Sequence, residues 1–212
     1  MKYNQNQYVS NRLSLLLIYI SIMYLITFLQ QEFVLIPELQ NLDIINDEIK
    51  ADALLKFQRT RWLSFIALPI FLLIKLSLVT LCLYVGGLFF SEMSDHKYKE
   101  WWGIVVKAQI VMIIYGVILC ILNIIYSNNI MSEVSLYSSL LFICDETTEN
   151  WIKVPLAAVN IFEMAYWIVI SKFVAKLVKT TLRKSFKFVM STYGIMYFCY
   201  IVLLMFLDLY LG

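Results

Sequence analysis

The run Leu13 to Leu29, LSLLLIYISIMYLITFL, holds 17 residues without a charge. A hydrocarbon core about 30 Å thick needs roughly 17–25 apolar residues of helix to cross it, so this run already reaches spanning length. Trp62 to Phe90 is longer, 29 residues with Lys75 as its one charge, and Pro69 inside it favours a kinked or tilted helix. Ile104 to Tyr126 follows, with Lys107 near its start and Gln109 and Asn123 within it. Further apolar runs cover about 151–171 and 188–211. Backbone polar groups in lipid have no water to bond, so such runs must be helical. The expected fold is all-α, a polytopic membrane bundle of five transmembrane helices forming one membrane domain over residues 1–212.

Composition agrees with that reading. The chain is 61% hydrophobic and 15% charged, against roughly 45–50% and 25% in soluble domains. A net charge of +2 is too small for nucleic-acid binding, and no Gly-rich phosphate loop occurs. Cys82, Cys120 and Cys199 fall in apolar runs and Cys144 in a polar one, which argues against a disulfide. With no CxxC and one histidine, His96, in a polar loop, no metal site and no cofactor are expected.

Between the first two runs, residues 30–61 are polar. Leu42, Ile45, Ile49, Ala53 and Phe57 recur there at helical spacing, predicting an amphipathic helix that caps the bundle or lies on the membrane surface. No small-residue cleavage site follows the first run, so it reads as an uncleaved signal anchor. Residues 127–150 carry four acids and no base around an apolar core of 11 residues, too short to span, and read as re-entrant or interfacial.

Orientation follows from basic residues in the short loops, which are retained on the cytoplasmic side. With the N-terminus inside, the inner segments hold ten Lys and Arg and the outer ones four. The C-terminus is then outside. Six of the ten lie in 172–187, the basic cytoplasmic link. Lys172, Lys176, Lys179, Arg183 and Lys187 step by 4, 3, 4 and 4, one face of a helix continuing the fourth span, with Lys184 beside them. Each cation near an anionic leaflet contributes roughly 1 kcal/mol, so these six are the expected lipid-binding residues.

Glu163 lies inside the fourth run, where an ionised side chain costs at least about 2.5–3.5 kcal/mol and needs a partner. Lys75 is 13 residues in from Trp62 and Glu163 is 12 in from Trp151, so both sit roughly 18–20 Å along helices that enter from the outside. The expectation is a Lys75–Glu163 pair between the second and fourth spans, with Gln109, Asn123 and Asn160 as polar neighbours. It either locks the bundle or forms a mid-depth polar site. Enzyme chemistry is not expected. No HExxH or GxSxG occurs, and Asp208 is the one aspartate within a span.

The run ending in LCLYVGGLFF with Gly86 and Gly87, the span GIVVKAQIVMIIYGVILCIL, the element Asn160-Ile161-Phe162, Trp167 and the lysine-rich turn before the last span resemble the Yip-domain family of five-span membrane proteins over about residues 62–211. The resemblance implies a cytoplasmic N-terminus, five spans and a non-enzymatic role, and supplies no catalytic residue. The polar segment after the first span is a departure, since the family usually places its soluble part ahead of all spans. The expected function is a scaffold or accessory subunit of a complex in a bacterial inner membrane, with anionic lipids and other membrane subunits as partners and no nucleic acid. The alternative is a small transporter or permease subunit that uses Lys75 and Glu163.

Overall fold

The computed structural model describes residues 5–37, 47–90, 93–125, 138–140 and 150–211. The fold is all-helical, 91% helix, with no strand among the described residues. The helices are α1 (Gln5–Gln30), α2 (Asp47–Leu88), α3 (Tyr98–Ala108), α4 (Ile110–Ile125), α5 (Asn150–Ala158), α6 (Ile161–Val178), α7 (Leu182–Val189) and α8 (Ile195–Leu211). A π turn, Gln31–Leu35, extends α1, and another, Met190–Gly194, joins α7 to α8.

Four helical stretches are long and apolar enough to cross a membrane: Arg12–Leu35, Lys50–Leu88, Tyr98–Ile125 and Leu182–Tyr210. Their flanks leave large apolar groups bare, Phe71 at 68% and Phe206 at 62% exposure among them. Contiguous apolar surface on this scale is foreign to water-soluble monomers and suits lipid.

The chain forms two compact units. The first comprises Met1–Lys75 and Ile113–Met131, the second Leu76–Met112 and Ser132–Gly212. In the first, Tyr19, Val34, Leu72, Ile113 and Cys120 form the buried apolar set. Tyr24 meets Phe65 with ring centroids 5.8 Å apart, and Arg61 Nη1 donates to Glu32 Oε1 at 2.7 Å. In the second, Leu76, Val79, Thr80 and Leu83 give α2 one fully buried face at i, i+3, i+4 and i+7. Trp101, Val105 and Val106 of α3, Tyr166, Ile170 and Val174 of α6, and Phe188, Val189 and Tyr193 complete that core. Helix α6 packs on α7 and on α3, and α5 packs on α8.

Four boundaries differ from the sequence expectation. Asp47 to Arg61 is not a separate amphipathic helix, because it forms the first turns of the 42-residue α2. Such a helix is about 63 Å long, twice the hydrocarbon thickness, so its polar third has room to project beyond an apolar one. Residues 38–46 of the polar segment lie outside the described residues, as do nearly all of those expected to be re-entrant.

The fourth span is not one helix either. It is broken at Val159 and Asn160 into α5 and α6, Asn160 taking an extended conformation (φ −120°, ψ 159°). The basic link is likewise two helices rather than one. Helix α6 stops at Val178, Lys179 is left-handed with φ 56°, and Thr181 caps α7 through its side chain, which accepts from Lys184 N. The helical stretch that carries the last apolar run starts earlier than residue 188, at Leu182.

Candidate functional site

The break at Asn160 is closed by side chains and by a neighbouring segment. Asn160 Oδ1 accepts from Glu163 N at 2.7 Å, an N-cap that satisfies one of the first amides of α6. Ser139 and Asn160 form an antiparallel bridge, with Leu140 N donating to Val159 O at 3.0 Å. At the end of α5, Tyr197 OH donates to Ala158 O at 2.5 Å. Interrupted backbone at membrane depth is tolerated where protein groups satisfy it in this way.

Glu163 sits in the first turn of α6, 5% exposed. Its Oε1 accepts from Trp167 Nε1 at 3.1 Å, one turn along the same helix, and from Tyr193 OH at 2.5 Å. The rings around it are mutually fixed. Tyr193 meets Tyr166 and Trp167 edge-on at 6.1 and 5.9 Å, and Trp167 meets Tyr197 edge-on at 5.7 Å. Edge-to-face pairs at these distances each contribute about 0.5–1.5 kcal/mol beyond their burial. The carboxylate therefore lies in an aromatic cage with two hydrogen-bond donors, at the positive end of a helix dipole.

Of the residues singled out as a mid-depth polar set, Asn160 is brought directly onto Glu163. Gln109 is buried in the second unit, where the helix tightens between α3 and α4 (Met112 N to Gln109 O, 3.0 Å). Its Oε1 has no hydrogen-bond partner among the described residues. Asn123 is buried and Lys75 half-buried, and both belong to the first unit. Sequence reasoning did not single out Tyr193, Tyr197 or Tyr166 for this site. The available signal was three tyrosines within apolar runs, whose hydroxyls need partners when buried.

The six cations of the link are all exposed: Lys172 and Lys176 on α6, Lys179 at its end, and Arg183, Lys184 and Lys187 on α7. They form a basic corner at a helical turn. Phe188, just inside it, meets Phe90 at 5.3 Å and Trp101 at 5.6 Å. The turn 93–97 between α2 and α3 thus lies beside the corner. His96 Nδ1 of that turn and Glu100 Oε2 of α3 are 3.2 Å apart. No group of three or more metal-ligating side chains occurs among the described residues.

No family model, no curated protein and no solved structure matches this chain.

Proposed function

We propose that this chain is a non-enzymatic, multi-pass protein of a bacterial inner membrane, Yip-like in organisation, that serves as a scaffold or accessory subunit of a membrane complex and rests its basic corner on anionic lipid. The observation that carries the reading is the corner itself: six exposed cations on the end of α6, the turn after it and α7, in a stretch where no Asp or Glu occurs between Glu163 and Asp208. The turn 93–97, with Lys97 at its end and Lys99 just beyond, adds to the same end, as a cytoplasmic face would. In this topology α5 and α6 together make the fourth of five passages, a discontinuous one, and the N-terminus is cytoplasmic.

The wide apolar flanks of the long helices supply surface for other subunits, with Asn, Gln and small residues available for helix association. Affinity purification in mild detergent tests the reading. A stoichiometric membrane partner and enriched anionic lipid are expected, and a chain that elutes alone with no lipid preference overturns it.

A second reading, a small transporter or permease subunit, is favoured by the break at Asn160. Discontinuous helices whose half-helix ends face a polar group are the usual substrate or ion sites of secondary transporters. Glu163→Gln separates the two. A transporter loses transport when the carboxylate goes, whereas a structural cage retains partner and lipid binding.

A further inference from the structure

In the second unit an open groove of about 570 Å³ runs along the last turns of α2 and the π turn that precedes α8. Its walls are Leu81, Val85, Phe89 and Phe90 on one side and Ser191 and Thr192 on the other. The floor is closed where the two helices touch, since a Cβ added at Gly86 would lie 2.1 Å from Thr192 Cγ2. The volume is within the roughly 300–1,000 Å³ of small-molecule sites, and the walls are almost wholly apolar.

The rim is not apolar. Helix α7 runs straight into the π turn, so Arg183, Lys187 and Ser191, four residues apart, lie on one face. Both cations are exposed, about one and two turns, or roughly 6 and 12 Å, from Ser191. Phe90 against Phe188 fixes the cations at the same end of the groove as Phe89 and Phe90. Two acids lie near it among the described residues: Glu100, in the first turn of α3, is engaged with His96 Nδ1 and Lys97 N, and Asp95, in the turn 93–97, is exposed.

We infer that this groove holds one anionic phospholipid, an acyl chain lying along Leu81, Val85 and Phe89 and the phosphate held by Lys187 and Arg183. An apolar trough that ends at two solvent-exposed cations complements such a lipid at both ends. It complements an apolar partner helix only along the trough. The inference rests on the basic corner facing anionic lipid and narrows it from a surface to a site.

The test is native mass spectrometry of the full chain in detergent with added phosphatidylglycerol or phosphatidylcholine. One phosphatidylglycerol retained per chain is expected, with phosphatidylcholine washing off. Ser191→Trp, and Val85→Phe as a second groove-filling variant, should abolish that single retained lipid. Arg183→Gln with Lys187→Gln should weaken it about 25-fold, about fivefold per cation. Lys172→Gln with Lys176→Gln should lower overall binding to phosphatidylglycerol vesicles yet leave the retained lipid in place.

Graded binding of several phosphatidylglycerols, sensitive to every cation and indifferent to both groove variants, overturns the site while the basic-surface reading stands. No preference for phosphatidylglycerol overturns both. A stoichiometric protein that protects the groove and excludes lipid also overturns it.

Discussion

Gly86→Ala is the substitution whose cost follows most directly from the geometry. The new methyl carbon would lie 2.1 Å from Thr192 Cγ2 and 2.9 Å from Thr192 Cβ, with Phe188 Cε2 at 3.6 Å. Carbon atoms rest about 3.5–4.0 Å apart, so one helix must retreat by about 1.5 Å or Thr192 must leave its rotamer. Thr192 is β-branched, and its Oγ1 is bonded to Phe188 O at 2.9 Å, which ties its χ1. Overpacking of this kind costs about 1–3 kcal/mol. Exchanging Gly for Ala inside a helix returns about 0.5–1 kcal/mol.

The net expectation is a loss of about 1–2 kcal/mol, or about 2–8 °C in thermal unfolding for a chain of this size. Thr192→Ser removes Cγ2 and keeps the hydroxyl, so the double variant should recover about 1 kcal/mol in a double-mutant cycle. Thermal unfolding of the four proteins in one detergent gives the answer. A Gly86→Ala chain as stable as the parent, or no coupling to residue 192, would refute the close approach.

Other consequences follow from single contacts. Tyr193→Phe leaves Glu163 without its hydroxyl donor and should cost about 1–3 kcal/mol, measured by the same unfolding assay, with Tyr200→Phe, an exposed ring, within about 0.5 kcal/mol of the parent. Asn160→Ala removes the cap of α6 and should cost about 1 kcal/mol, while Asn160→Asp should keep most of the stability; equal losses would mean that the side-chain oxygen does not cap. Lys179→Gly relieves a left-handed non-glycine residue and should hold or raise the unfolding temperature, whereas Lys179→Val should cost about 1–2 kcal/mol of stability and lower that temperature. Binding of the chain to phosphatidylglycerol vesicles should fall as salt rises from about 0.01 to 0.15 M, as the screening length shortens from about 30 to 8 Å; salt-independent binding would place the cations away from the lipid.

Much of this architecture can be read from residue patterns, and the failures have physical causes. The long runs Trp62–Phe90 and Ile104–Tyr126 announce helices because nothing else satisfies the backbone in lipid. Hydropathy locates the apolar stretch, however, and not the helix. Asp47 to Arg61 and the run that follows form one unbroken helix, so the polarity change at Trp62 lies within α2 and is not an end of the element.

The opposite error occurs at Asn160. The apolar content of 151–171 is nearly continuous, yet Asn160 with Glu163 three residues on is the pattern of an N-cap followed by an acid in the first turn, and the local signal prevails. In the basic link, steps of 4, 3, 4 and 4 fit a single helix, but Thr180 and Thr181 offer a second start, and Thr181 takes it. The cage around Glu163 was the least legible part. Trp167 lies one turn away and could be inferred, whereas Tyr193 is 30 residues distant and periodicity says nothing of tertiary pairing.

The proposed role is that of a membrane subunit held at anionic lipid. Its most direct test is purification of the tagged protein in mild detergent, with mass spectrometry of co-eluting proteins and lipids. A stoichiometric membrane partner and phosphatidylglycerol retained at the basic corner are expected. A chain that elutes alone, carrying a small polar ligand that Glu163→Gln releases, would contradict it.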